Sequence, residues 1–367
     1  MSIASSRDFA WLLGASMACA SSLLPAQGTP DTTIAVKFGA FVDGYYAWDF
    51  NRPRTFDRAF TTQPARHNEF NVNLAFVEAV LSGAKVRGRL ALQYGTSVQA
   101  NYAAEPRVGS ASGGDVARFL QEAVVGVKLA PVLWLDGGIY LSHIGSESWI
   151  SRDNLTYTRS LIADYSPYYQ SGLKLTWQAT PKLATQFNIV NGWQNISETN
   201  EGKAIGARVD YTASPRLTLS AYNLIGSETP DSLARQVRVF QGVSAKVTPS
   251  ERVTVVGTFD VGRQDLGSET GHWYGAALIG RVQATPSVAL VARVERYDDP
   301  KEVIIVTGTA HAFKANGGSL GVDVVPAPRT LWRTEFRALA GKDAVFPGRD
   351  SARKSNALLV SSLALTF

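Results

Sequence analysis

The 367-residue chain combines few charged residues with many glycines and a mean hydropathy close to zero. Charged residues make up 18% and aromatic residues 10% of the chain, which contains 32 glycines. This composition is too apolar for a disordered protein. After the first thirty residues, no apolar stretch reaches the roughly 18 uninterrupted residues that a membrane-spanning helix needs. The net charge of +5 comes without a cluster of basic residues, which disfavours nucleic-acid binding.

The first 26 residues have the pattern of a signal peptide. Arg7 precedes an apolar stretch from Phe9 to Ala20, and small residues follow. We expect cleavage after Ala20 or Ala26, which assigns residues 1–26 to the signal peptide and 27–367 to the mature domain. The only cysteine, Cys19, lies inside this segment, and its acylation in a lipoprotein is a weaker alternative. A mature chain without cysteine has no disulfide and no thiolate metal site.

From about residue 34 onward, apolar and polar residues alternate in segments of about ten residues. Between Val86 and Val98, the apolar side chains of one face alternate with the polar side chains of the other; the two sets are Val86, Leu90, Leu92 and Tyr94, and Arg87, Arg89, Gln93 and Ser97. A period of two places the sets on opposite sides of a strand. The pattern suits a membrane barrel with a wet interior, and it suits a half-buried soluble sheet almost equally well.

Tight turns alternate with long loops along the chain. Six turns contain proline, near residues 131, 180–182, 214–216, 248–250, 285–287 and 326–328, and a seventh lies at 82–84; the long loops cover 49–67, 100–118, 145–166, 192–203, 226–236, 263–272, 298–311 and 341–355. Seven turns and eight loops predict an all-β fold, a closed antiparallel transmembrane barrel of sixteen strands with the turns at the periplasmic end. Fourteen or eighteen strands stay open, because Phe70–Leu81 and Ala312–Val324 break the alternation, as bulges would.

Two further patterns indicate an outer-membrane barrel. Many aromatic residues fall near predicted strand ends, as in the aromatic girdles at the membrane interfaces. At the C-terminus, Leu363, Leu365 and Phe367 alternate and end on an aromatic residue. We interpret these three residues as a signal for the barrel-assembly machinery, and we expect outer-membrane lipid around the barrel.

Three segments resemble the β-barrel porin-2 family, the OmpL-like outer-membrane proteins. They are VKFGAFVDGYYAWDFN near the start, NLTYTRSLIADYSPYYQSGL from Asn154 to Leu173, and TQFNIVNGWQ from Thr185 to Gln194. The resemblance covers most of the mature chain. It implies a porin-like barrel in the outer membrane of a Gram-negative bacterium, with no established substrate and no residue roles to transfer.

Charged residues of both signs are predicted to line the pore. They are Lys37, Asp43, Arg87, Arg89, Asp136, Lys174, Arg208, Asp210, Arg238, Lys246, Asp260, Arg281, Arg293, Glu295, Arg333, Glu335 and Arg337. A water-filled pore accommodates such charges, whereas a lipid-facing arginine at mid-membrane costs about 2 to 4 kcal/mol. The basic excess predicts mild anion preference. Alternatively, opposite charges pair across strands and brace the wall.

The loop over 145–166 is the candidate for a constriction, because it carries both charge signs beside aromatic residues. The charged candidates are Glu147, Arg152, Asp153, Arg159 and Asp164. The alternative is an outward surface loop.

Catalytic and metal sites are weakly supported. All four histidines lie in or beside predicted long loops, where solvent exposure is the commoner explanation. His143, beside Ser142 and with Asp153 nearby in the sequence, is the least implausible catalytic set. No metal-binding spacing is present, and we expect no cofactor. The preferred function is passive diffusion of small hydrophilic solutes; a plugged structural or adhesion barrel and an outer-membrane hydrolase are the alternatives, and the oligomeric state, monomer or trimer, is open.

Overall fold

Sixteen antiparallel strands close into one barrel in the computed structural model, which describes residues 34–367. Each strand pairs with its sequence neighbours, and the first pairs with the last. The strands are β1 Ala35–Asp49, β2 Phe70–Ser82, β3 Val86–Tyr94, β4 Leu120–Ala130, β5 Leu133–Leu141, β6 Tyr169–Thr180, β7 Leu183–Val190, β8 Ala204–Ser214, β9 Leu217–Ser227, β10 Val237–Ser250, β11 Val253–Asp265, β12 Thr270–Thr285, β13 Val288–Asp299, β14 Phe313–Val324, β15 Thr330–Gly341 and β16 Ser355–Thr366. The predicted sixteen-strand barrel is confirmed. The predicted signal peptide, with Cys19, lies outside the described residues.

Side-chain alternation gives the barrel an apolar outside and a polar inside. On β15, Trp332 and Phe336 point outward and are exposed, whereas Arg333, Glu335 and Arg337 point inward and are buried. This arrangement is that of a membrane barrel, because a soluble protein does not expose a continuous apolar band of this size. Closure also pairs every strand edge, as a hydrocarbon environment requires.

Connections at the two ends of the barrel differ in length. At the end where β1 begins, each connection has at most five residues, whereas most loops at the other end are long and two of them carry short helical turns. The helices are α1 Thr96–Tyr102, α2 Gly114–Ala117 and α3 Leu161–Asp164, with a 3₁₀ turn at Ser151–Asp153. No helix in residues 34–367 is long and apolar enough to span a bilayer. The loop predicted over 263–272 is wrong in length, because β11 and β12 stay paired through Arg263 and His272 and leave only 266–269 between them.

The two segments with broken alternation have different causes. In β2, the register shifts opposite Asp43 and Gly44, which confirms a bulge there. The register of β14 is regular, and its pattern is hidden because several of its inward residues are small. A Cβ atom at Gly317 would lie 2.9 Å from Cγ of Glu295. The small residues therefore make room for large side chains on the neighbouring strands.

Two paired glycines carry a backbone conformation that other residues avoid. Gly138 on β5 and Gly172 on β6 face each other and have φ angles of 132° and 158°. A Cβ atom at Gly138 would also meet the carbonyl oxygen of Ala123. Glycine is therefore required at this position for both conformation and space.

We predict that Gly138→Ala destabilises the barrel by about 1 to 3 kcal/mol, the cost of a residue held in a sparsely populated backbone region. The measurement is the temperature at which the unboiled protein changes its gel mobility. Gly280→Ala is the control, because a Cβ atom at Gly280 meets nothing within 4 Å. Equal melting of the two variants would contradict the prediction.

Candidate functional site: the lumen and its third loop

The third long loop, which joins β5 to β6 over residues 142–168, folds into the barrel. Trp149, Tyr157, Leu161 and Ile162 of this loop are all at most 4% exposed. The structure thus places the loop inside the lumen and contradicts the alternative of an outward surface loop. The backbone N–H and C=O groups of a segment inside a barrel need hydrogen-bond partners other than neighbouring strands, because the segment is not part of the sheet.

Two wall arginines bind the backbone of this loop. Arg333 of β15 donates hydrogen bonds to four carbonyl oxygens, those of Ser151, Asn154, Leu155 and Thr156, at 2.7, 2.8, 2.8 and 3.3 Å. Arg293 of β13 donates to the carbonyl oxygen of Thr158 at 2.5 Å. Hydrogen bonds with a charged partner stabilise by about 1.5 to 3 kcal/mol each. These bonds fix the path of the loop along the wall.

Two wall glutamates bind the donors of the same loop segment. Glu335 of β15 accepts from the backbone nitrogen of Thr158 at 2.7 Å, and Glu295 of β13 accepts from that of Leu161 at 2.6 Å. We call Arg293, Glu295, Arg333, Glu335 and Arg337 the wall cluster. Arg293 and Arg333 bind the carbonyl groups of the loop, and the two glutamates bind its amide groups.

The wall cluster is also paired internally. Arg337 forms a bidentate pair with Glu295 at 2.9 and 3.0 Å, Arg293 approaches Glu335 to 3.4 Å, and Arg333 binds Asp323 at 2.9 Å. All of these side chains are buried. Buried charges need such partners, since a lone one costs several kcal/mol. For this part of the predicted pore lining, the alternative of charges that brace the wall describes the geometry.

The loop is attached on other sides of the barrel as well. Asp43 of β1 accepts from the Ser151 hydroxyl at 2.6 Å, and Arg208 of β8 donates to the carbonyl oxygens of His143 and Gly145 at 2.9 Å each. The Ser146 hydroxyl lies 2.6 Å from that of Thr258 on β11. Because β1 lies across the barrel from both β8 and β11, the loop crosses the lumen.

The five predicted constriction residues are engaged within this packing. Arg159 pairs with Asp164 at 3.3 Å and its guanidinium lies 3.8 Å from the ring centroid of Tyr168. Glu147 accepts from the backbone nitrogen of Ser160 at 3.0 Å, and burial raises the pKa of its carboxyl group. Arg152 lies 3.5 Å from Asp153, and burial likewise raises the pKa of Asp153.

An apolar core fills the extracellular half of the lumen along β9 to β14. Inward aromatic side chains pack with residues of the third loop and of other loops; the set includes Tyr222, Phe240, Trp273, Tyr297 and Phe313 with Ile144, Leu161, Ile162, Trp193, Phe60 and Phe346. The arrangement corrects the girdle prediction, which holds for outward residues such as Tyr46, Trp177 and Trp332 only. Inward glycines were the missed signal, because Gly242 and Gly262 leave the space that the rings of Tyr222 and Trp273 occupy.

Two predicted lumen charges lie within this apolar half. Arg238 is stacked between Trp193 and Trp273, at 5.1 and 5.9 Å from their ring centroids. Asp260 is buried and accepts from the Tyr222 hydroxyl at 2.8 Å. Each is therefore held by aromatic neighbours.

The periplasmic half of the lumen is polar and partly exposed. We call its charged inward residues the vestibule: Lys37, Arg87, Lys128, Lys174, Arg208, Lys246 and Arg281, with Asp136, Asp210 and Asp323. Asp136 binds Arg87 at 2.5 Å and lies 4.0 Å from Lys174, Arg208 binds Asp210 at 2.9 Å, and Arg281 binds Asp323. Between the two halves, Arg89 contacts Glu78 at 2.7 Å and also Glu122. Basic groups outnumber acidic ones in the vestibule, and Lys128 is a member that the sequence analysis missed.

The histidine at the start of the third loop has no catalytic partner of the predicted kind. His143 is buried; its Nδ1 lies 2.8 Å from the side-chain oxygen of Gln170, and its Nε2 lies 2.8 Å from the carbonyl oxygen of Asn223. Burial lowers its pKa. The prediction of solvent exposure is therefore wrong for His143, and its neutral partners differ from the predicted Ser142 and Asp153. Within residues 34–367, no three potential metal ligands cluster.

We predict that Arg333→Gln frees the loop from the wall, because it leaves four loop carbonyl groups without their charged donor and removes one of the two arginines that bind Asp323. Breaking a buried pair in this way costs about 3 to 5 kcal/mol. Hydrogen exchange should accelerate in the peptide that contains residues 151–158. Arg216→Gln, in a periplasmic turn, is the control, and unchanged exchange in Arg333→Gln would refute the role of the wall cluster.

Comparisons with known proteins agree with this architecture. Similar solved structures include the anion-selective porin from Comamonas acidovorans (12% identity, TM-score 0.59, covering 91% of this chain and 100% of that chain) and the outer membrane channel DcaP of Acinetobacter baumannii (10% identity, TM-score 0.60, covering 91% and 97%). OmpF of Salmonella typhi has 12% identity and a TM-score of 0.58, covering 90% and 97%. At these identities the likeness shows the fold alone.

The sequence comparison identifies the family. No curated protein matches the chain. The profile of the family described as "Putative beta-barrel porin-2, OmpL-like" matches residues 35–367, which is every strand of the barrel. The chain therefore belongs to this family and is a porin-type barrel of the outer membrane.

Proposed function

We propose that this porin passes small hydrophilic solutes by passive diffusion, prefers anions mildly, and controls the passage with its third loop. The observation that carries the proposal is a polar vestibule of net positive charge that leads to a loop held across the lumen. We also propose that the barrel performs no covalent chemistry, since His143 faces the neutral partners Gln170 and Asn223. A hydrolase would instead lose turnover on replacement of His143.

The vestibule supports anion preference through its uncompensated lysines. Lys37 and Lys246 form no ion pair within residues 34–367, whereas the arginines of the vestibule share their charge with aspartates. Rings of one charge sign select the opposite ion in a water-filled pore. The anion selectivity named for the Comamonas acidovorans porin is consistent with this proposal.

We predict that Lys37→Glu combined with Lys246→Glu reverses the ion preference. The two substitutions change the vestibule by four charge units without breaking a described ion pair. In a salt gradient across a planar bilayer, the reversal potential should indicate a preference for anions in the wild type and a preference for cations in the variant. Arg216→Glu, outside the lumen, should leave the wild-type value unchanged. A cation-preferring wild type would refute the proposal.

The third loop supports control of the passage, because it and the apolar core occupy the extracellular half of the lumen along β9 to β14. A solute that enters from the vestibule meets the loop on its way out. The size of the opening therefore depends on the wall cluster, which fixes the loop at Ser151–Thr158.

We predict that Arg333→Gln raises the single-channel conductance above the wild-type value, because the released loop no longer narrows the passage. Arg216→Gln again serves as the control. The filled extracellular half also favours a second candidate, a plugged structural barrel. That candidate predicts bilayers that stay sealed with the wild type, with Arg333→Gln and with a variant that lacks residues 145–166.

The two ends of the chain carry further proposals. Leu363, Leu365 and Phe367 lie on the outward side of the barrel, with Phe367 61% exposed, which supports their proposed role as an assembly signal. Export by a signal peptide over 1–26 is proposed from the sequence alone. Sequencing the N-terminus of the membrane-inserted protein tests the cleavage after Ala20 or Ala26.

A further inference from the structure

The outside of the barrel carries an apolar groove across six adjacent strands, β8 to β13. Its volume is about 830 Å³. The floor consists of Ala221, Ala245, Gly257 and Ala276, whose small side chains leave a depression between larger neighbours such as Phe259 and Leu278. Most of the outer wall of this barrel is convex and covered by large apolar side chains. The groove therefore differs in shape from the rest of the lipid-facing surface.

The groove is long and narrow because its residues lie in lateral register. One side-by-side row runs through Val209, Ala221, Val243, Phe259, Ala276 and Arg296. Neighbouring strands are about 4.8 Å apart, so five spacings give a length of roughly 24 Å. The row begins at the middle of β8 and ends near the extracellular end of β13. Its length and apolar lining match an extended hydrocarbon chain.

A basic group closes the extracellular end of the groove. Arg296 lines the groove, points outward and has a half-exposed side chain; it contacts Asp298 at 3.3 Å and Asn316 at 3.1 Å. Lys314 of β14 shares the same carboxylate at 3.2 Å. Two cations on one carboxylate leave one positive charge at the membrane surface. Arg263 of β11, exposed on the same face, adds a cation without an ion pair within residues 34–367.

We propose that this groove binds a phosphate-bearing glycolipid of the outer leaflet, with an acyl chain along the small residues and a phosphate at Arg296 and Lys314. The long loops lie outside, so Arg296 is at the depth of outer-leaflet headgroups. A phosphate gains charge-assisted hydrogen bonds there. A second copy of the barrel is a poorer occupant, because a convex wall does not fill the groove and would bury Arg296 without a partner for its excess charge. The proposal is independent of what the lumen conducts.

Native mass spectrometry of the full-length protein in detergent tests the site, with diphosphorylated lipid A as the probe and its dephosphorylated form as the comparison. We expect the wild type to retain the phosphorylated form about tenfold more strongly, a difference of about 1.4 kcal/mol. Arg296→Gln should abolish this discrimination. Arg118→Gln, at the extracellular end on the far side of the barrel, is its matched control and should behave as the wild type.

A second pair of variants tests the groove itself. Gly257→Leu should fill the floor and reduce retention of both lipids, and a Cβ atom is tolerated there because the nearest atom, Cδ1 of Leu278, is 3.7 Å away. Gly280 of β12 also faces outward, as Gly257 of β11 does, but it lies outside the groove lining. Gly280→Leu should therefore retain lipid as the wild type does. The mobility of unboiled protein on a gel verifies that each variant is folded. Equal retention of both lipids by the wild type, or full retention by folded Gly257→Leu, would overturn the proposal. It would also be overturned if the protein formed an oligomer and Gly257→Leu dissociated that oligomer without changing lipid retention.

Discussion

The requirement that every backbone polar group in hydrocarbon be paired determines the rest of this structure. Sixteen strands satisfy it only by closing, so that β1 bonds to β16 and no edge remains. Closure then creates an enclosed interior. Polar groups that are buried in this interior also need hydrogen-bond partners, although some of them can still reach water. The third loop, which has no strand partner there, obtains its hydrogen bonds from charged wall side chains.

The interior shows how buried charge and loop position depend on each other. The wall cluster lies away from water, so its arginines and glutamates are stable only because each is paired. Part of the pairing is internal, as between Arg337 and Glu295, and part is with the loop backbone. Removal of the loop would therefore leave unpaired charges, and removal of the charges would leave unpaired peptide groups. Such mutual dependence gives the loop one defined position.

Much of the fold could be predicted from the sequence, because period-two alternation and turn spacing are local signals. Strand number, the turns at one end and the inward direction of all seventeen predicted lumen charges follow from that periodicity. Alternation could not distinguish a charge in water from one in a packed network, since both kinds point inward: Lys246 and Arg333 have the same pattern and different surroundings. Similarly, Trp273 and Trp332 both fall near strand ends, and the side each faces is set by register. Glycines that lie beside inward aromatic residues, such as Gly262 next to Trp273, also indicate where the aromatic rings pack. This signal can be used only once the cross-strand pairing is known, because the two residues are on different strands.

The third loop is held mainly through its main chain. Arg333 donates to four carbonyl oxygens, and Glu335 and Glu295 each accept from an amide nitrogen. Every residue provides a backbone carbonyl group, and every residue except proline provides an amide group. Side chains between residues 151 and 161 that do not themselves bind the wall can therefore diverge while the trajectory of the segment is preserved. Ser151, Thr156 and Thr158 are constrained, because their hydroxyl groups bind Asp43, Arg293 and Glu335. A barrel built in this way can acquire new solute preferences through substitutions in the loop, while the wall cluster that holds the loop stays unchanged.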